Sequence, residues 1–513
     1  MELGQIHKNR IEIDSGVGAL VKRWVLVSVL WTLVGLVALG ASMLELLNPD
    51  RFVWSGVSFG KLFPLAKFIL CFGGLGSAAW GASVWSLARE SENQPSVGLL
   101  GRWANELGFG FWSVGVSSVI AYVVAIGLPS SGVVPQGSLW LLALGAVLSV
   151  SGMLSFGGVA LGSTQGFGLS FVCSLISLCS LVAYIRGSSS LGLLLGIVCA
   201  SMLVVGSQGL SGSVLAVCVG VIGVVGALCI KLAIVSGHPK GVVTAVLDAW
   251  FSGVVLNSFG LLIPVGVAIF VLAKSTGKNL FSRGHGVLLA GLAGTFGGLV
   301  GLASFSDGPV PAWVGAVGSG SVFFVMAVVL SFASAVFRQS DVPSGSPSVA
   351  FVRWGSVMLV AAGLLRTLLV LPEVAESSQL TVAQIGVDFL QYFVGGGLVM
   401  WGTIYYIYPR VCGCEWLSSS LISWHLRGML YGGGLAFGCM FVSGIASGSA
   451  LNEALAPFSE SVAMGRSYYW GTVIGIVLMV FGQMSSLLNV GFLSIRIGQP
   501  AGEATLLPDA SNH

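Results

Sequence analysis

Long apolar runs broken by short polar segments dominate the chain from residue 24 to residue 495. A helix that crosses a bilayer needs about 20 mostly apolar residues. Stretches of that kind lie at roughly 24–44, 65–88, 108–128, 138–162, 166–185, 190–206, 213–235, 242–272, 286–304, 312–337, 352–372, 383–408, 426–447 and 468–494. The pattern predicts an all-α polytopic membrane protein with about 12–14 transmembrane helices. Between 138 and 235 the breaks are short and nearly uncharged, which leaves the helix count there open. Residues 1–23 and 496–513 read as polar tails around a membrane domain of 24–495. The first tail leads into an apolar stretch long enough to span, so it reads as the approach to a retained anchor and not as a cleaved signal.

Composition closes off the soluble classes. The 513 residues are 55% hydrophobic and only 8% charged, against roughly a quarter charged in a soluble domain. Such a chain cannot cover a water-facing surface, and lipid is its expected surroundings. A net charge of +3 without a long basic run argues against a nucleic-acid partner. Seven of the nine cysteines sit inside apolar stretches as small hydrophobes. Cys412 and Cys414 form a C-x-C beside a helix end, with no second Cys or His pair nearby in sequence to complete a metal site.

Lys and Arg in short loops set orientation. Lys8, Arg10, Lys22 and Arg23 precede the first span, and the basic set continues at Arg89, Arg102, Lys274, Lys278, Arg283, Arg338, Arg410, Arg427 and Arg496. The intervening loops hold Asp307, Glu373, Glu376, Glu453 and Glu460, with Arg186 and Lys240 as exceptions. Both termini are expected on the cytoplasmic side of a bacterial inner membrane. The segment VMWGTIYYIYPRVCGCEW, residues 399–416, reads as a helix whose Trp401, Tyr405, Tyr406 and Tyr408 form an interfacial aromatic belt, broken by Pro409 and Arg410. The 75 glycines, with GGG at 395–397 and 432–434, read as close helix packing.

Charges within spans are costly and are candidates for function. Three stand out: Asp248, Arg366 and Asp388. Arg366 and Asp388 lie on consecutive spans, within reach of an internal ion pair or of an ion path. Lys67 and Lys231 sit close enough to helix ends to snorkel. The five histidines are His7, His238, His285, His425 and His513, in tails, in loops or, for His425, at a helix opening. No H-x-H, HH or H-x-x-H occurs. Iron or copper held in a membrane core needs several ligands of this kind at depth.

WGTIYYIYPR, the Gly413 and Glu415 that follow, and SWHLRGMLYGGGLAFGCMFVSGIASG resemble the last quarter of the heme–copper oxidase main subunit, nearest the cbb3-type cytochrome c oxidase subunit I. LFPLAK (62–67), AWFSG (249–253) and GLASFSDGPVPAW (301–313) resemble further stretches of that subunit, in order. The likeness covers most of the chain and is strongest over 380–495. Against the family's twelve-helix core, two spans within 165–235 look extra.

The resemblance implies an oxidase subunit I-like bundle, with heme b, a high-spin heme and copper as the family's cofactors. It also implies where their ligands should stand. The low-spin heme position falls on Ala66. The copper positions fall on Gly253, Ala303 and Ser304. The His-x-His that serves the two heme irons falls on Val387 and Phe389. An active-site tyrosine falls near Leu359. None of these residues is a His or a Tyr. The expectation is therefore a heme-free, non-catalytic relative (a pseudoenzyme) without cofactor or metal, serving beside other integral membrane subunits of a respiratory complex. Two alternatives stay open. One is an active terminal oxidase subunit holding heme through ligands such as Met153, Met400 or Cys439. The other is an ion or small-molecule transporter using the emptied core, with Asp248, Arg366 and Asp388 on its path.

Overall fold

The computed structural model describes residues 15–47, 58–90, 99–127, 134–160, 211–237, 241–276, 280–305, 308, 310–338, 346–379, 381–453 and 457–495. Among the described residues, twelve long helices are each apolar enough to cross a membrane. They are α1 (Ser15–Leu47), α2 (Phe59–Glu90), α3 (Leu99–Ala125), α4 (Gln136–Ala160), α5 (Gly212–Gly237), α6 (Val242–Thr276), α7 (Arg283–Phe305), α8 (Ala312–Arg338), α9 (Pro347–Leu369), α10 (Val382–Cys412), α11 (Ser419–Leu451) and α12 (Tyr469–Ser494). Short helices at Pro372–Ser378 and Phe458–Arg466 lie in connections, and no strand occurs among the described residues. Twelve of the fourteen expected spans are thus present. The stretches at 166–185 and 190–206 lie outside the described residues.

Helix starts follow the sequence. The Ser282, Thr381 and Ser418 hydroxyls accept from the backbone N–H of His285, Ala383 and Leu421 and cap α7, α10 and α11. Pro347 opens α9 at a position where its missing N–H costs nothing. Two expected boundaries are corrected. The first helix begins at Ser15, so Lys22 and Arg23 are helical, and Arg23 pairs with Glu106 of α3. α10 also runs through Pro409 to Cys412, where Gly413 closes it at φ +72° and donates to the Pro409 carbonyl at 2.7 Å. Pro409 leaves the Tyr405 carbonyl without its usual helical donor. The indole Nε1–H of Trp416 supplies one at 3.2 Å.

α2, α6 and α10 form the centre of the bundle. Between 78% and 94% of the most apolar window of each is buried, against 33–56% for the other nine. All three carry a π-helical segment, at Ile69–Gly76, Ser258–Leu262 and Phe389–Gly396, and α11 has a fourth at Gly428–Gly432. The three inner segments meet. A Cβ on Gly396 would fall 1.6 Å from the Gly260 carbonyl oxygen, and Gly260 itself lies against Tyr392. Backbone meets backbone here, which only glycine allows.

The aromatic cluster of α10 is not a belt. Trp401, Tyr405, Tyr406 and Tyr408 are all buried. Tyr405 stacks among Phe351, Trp416 and His425, and Tyr406 meets Trp85 edge-on. Arg410 lies 3.5 Å over the Tyr406 ring and donates to its carbonyl. The exposed rings at helix starts are Trp103, Trp313, Trp354, Trp424 and Trp470, which suit the interfacial role. Composition cannot separate the two sets, because a ring at a helix end serves lipid or a neighbouring helix equally well.

Candidate functional site

A cavity of about 270 Å³ opens where α2, α6 and α10 begin and α7 and α9 end. Arg366, near the end of α9, forms an ion pair with Asp388 of α10. Its Nε donates to Gln391 Oε1 at 2.7 Å, and the guanidinium lies 5.5 Å over the Tyr392 ring. Asp388, Gln391 and Tyr392 are spaced i, i+3, i+4 along α10, so one helix face receives the arginine. Arg366 and Asp388 keep 16% and 30% of their side-chain surface open, which is the surface they present toward the cavity.

Lys67 of α2 also lines the cavity and forms no ion pair or hydrogen bond among the described residues. It does not run outward along lipid. Ser252, Ser304, Gln379, Gln384 and Tyr392 add hydroxyl and amide groups, and Leu256, Val300, Leu369 and Val370 add aliphatic wall. The polar groups facing the space are therefore ammonium, guanidinium, carboxylate, amide and hydroxyl. Among the described residues no imidazole, thiol or thioether lines it.

This bundle has known counterparts. Residues 19–478 match the family described as cytochrome c and quinol oxidase polypeptide I. The chain belongs to that family, the main subunits of heme–copper oxidases. No curated protein matches this heme–copper oxidase family member by sequence. Among solved structures it is similar to a chain of a heme–copper terminal oxidase dimer determined by cryo-EM, at 15% identity and a TM-score of 0.58. The alignment covers 96% of this chain and 87% of that one, and shows the shared fold.

Within this subunit I-like bundle, Gly253, Ala303, Ser304 and Val387 all border the cavity. Ala66 and Phe389 do not. Ala66 is fully enclosed beside Lys67, and the Phe389 ring packs at 6.0 Å on Phe393. Leu359 is buried against Gly395. Asp248 stands apart, paired with Lys231 of α5, whose ammonium lies 5.8 Å from the Phe251 ring. Lys231 therefore finds an internal partner instead of snorkelling. Met153, Met400 and Cys439 do not reach the cavity. Met400 borders a separate void of about 20 Å³, also lined by Met429 and Met479.

Two features escaped the sequence. Lys67 read as a lysine able to snorkel, and its place on the cavity wall gave no signal. His425, seven residues into α11, is fully buried, with Nδ1 at 2.8 Å from the Tyr405 hydroxyl and the Trp401 ring edge-on at 4.8 Å. Its place at a helix opening suggested exposure. Instead α9, α10 and α12 close over that opening.

Proposed function

We propose that this chain is a heme-free, non-catalytic member of the oxidase subunit I family, acting as a structural or assembly subunit of a membrane respiratory complex. The observation that carries the proposal is the lining of the cavity. Four of the residues at the family's ligand positions face it, and they are Gly, Ala, Ser and Val. Heme iron takes His, Cys, Met or Tyr as axial ligands, and copper takes imidazole or sulfur. Among the described residues, the remaining lining groups are aliphatic, charged, or neutral amides and hydroxyls, and Tyr392 already lies against Arg366. This donor set does not fit a heme–copper pair, and no oxygen-reduction step is derived through one.

The motif likeness supports a relation to the cbb3 type within that family. The alternation of basic and acidic loops supports an inner-membrane protein with cytoplasmic termini. The test is direct. Protein purified in a mild neutral detergent gives an absorption spectrum with and without dithionite, together with iron and copper content. The expected result is no Soret band, substoichiometric metal, and co-purifying membrane subunits. A stoichiometric Soret band overturns the proposal.

A further inference from the structure

We infer that the cavity between α2, α6, α7, α9 and α10 is a binding site for a small carboxylate. The inference rests on the heme-free reading above and adds the chemistry of what occupies the space. It starts from charge. Among the described residues, Lys67 and Arg366 supply two cations to the lining and Asp388 one carboxylate. Arg366 already spends its Nη2 on Asp388 and its Nε on Gln391. The Asp388 charge is thereby balanced, and the Lys67 ammonium remains unmatched among the described residues. An ammonium held inside a membrane bundle without a counter-charge is expensive. A bound anion removes that cost.

The shape of the site narrows the anion. A lysine ammonium is a compact charge with three donors and suits a small hard anion. The hydroxyls of Ser252 and Tyr392 border the same space and donate to the remaining oxygen lone pairs, whereas the Ser304 hydroxyl already donates to the Gly301 carbonyl at 2.9 Å. The rest of the wall is aliphatic, which favours a short hydrocarbon tail over a fully hydrated inorganic ion. At about 270 Å³ the cavity lies just below the range of roughly 300–1,000 Å³ typical of drug-sized ligands, which limits the tail to a few carbons. Ser304 is exposed, so the site is open at the end of α7. A short-chain fatty acid from solution and the head of a longer fatty acid from the bilayer share this chemistry.

The test uses detergent-purified full-length protein and radiolabelled butyrate in a scintillation proximity assay. Saturable binding of one butyrate per chain is expected. Lys67→Met should weaken it at least about tenfold, while Lys67→Arg, which keeps the charge, retains it. Both variants are compared as monodisperse size-exclusion peaks, so that loss of binding is not loss of fold. Displacement by unlabelled acetate and propionate alone identifies a soluble acid. Displacement by palmitate at lower concentration identifies a bilayer source. Absence of saturable binding at millimolar butyrate, or equal binding by Lys67→Met, overturns the inference. A Soret band in the starting preparation would instead sink the heme-free reading before butyrate is added. A colourless protein that ignores butyrate sinks this inference alone.

Discussion

The two ends of α10 treat buried polar groups in opposite ways. At its beginning, Asp388 and Tyr392 face a 270 Å³ space shared with two cations. At its end, Tyr405 faces a closed aromatic cluster, and its hydroxyl meets His425. Packing explains the contrast. Around Tyr405, four rings (Phe351, Trp401, Trp416 and His425) fill the volume between helices at centroid distances of 4.8–6.3 Å. The cavity that Asp388 borders is lined also by Gly253, Ala303 and Ser304, which are too small to fill it. A charge persists inside a bundle only where it has both a partner and room for other polar groups. The Tyr405–His425 hydrogen bond, by contrast, is completely enclosed.

Four substitutions break or sharpen this contrast. The largest effect is expected in the filled cluster. Phe351→Ala removes a fully buried ring and should cost about 3–5 kcal/mol, read as a drop in the unfolding transition of the detergent-solubilised protein. Next comes the cavity end. Asp388→Ala leaves Arg366 beside Lys67 with no carboxylate and should cost about 3 kcal/mol. Adding Arg366→Met should recover part of that loss, and a double-mutant cycle in which the two changes are simply additive would show the pair to be uncoupled. The smallest effect belongs to Tyr405→Phe. It strips the His425 Nδ1 of its partner while preserving the ring, at about 1–2 kcal/mol. A loss as large as that of Phe351→Ala would mean that the hydroxyl, and not the ring, holds the cluster together.

Much of the fold is legible in apolar run length alone, because a membrane span must satisfy its backbone internally and must be long. The starts and ends of α5, α6, α8 and α12 fall within a few residues of the expected spans. Motif likeness also brings Gly253, Ala303, Ser304 and Val387 to one wall although they come from three helices. Illegible were the choices among neighbours. Trp401 and Trp424 both sit near span ends, yet one is buried and the other 62% exposed. Lys231 and Lys67 both looked able to snorkel, yet one pairs with Asp248 and the other borders the cavity. Those outcomes depend on which helix lies alongside, and a single span's sequence does not carry that information.

The π-helical segments explain why helix faces were harder to read than helix lengths. An α-helix advances about 100° per residue, and a π segment absorbs an extra residue without breaking the ladder. In α10 the segment Phe389–Gly396 separates Val387 and Asp388 from Trp401 and Tyr405, so a wheel drawn straight through the whole helix assigns its two halves to the wrong sides. Deleting one residue within Phe389–Gly396 would restore the α register and turn the first part of the helix by roughly a quarter of a revolution. Asp388 would then swing away from Arg366. The orientation of the charged wall is therefore stored in a single surplus backbone unit that itself carries no charge.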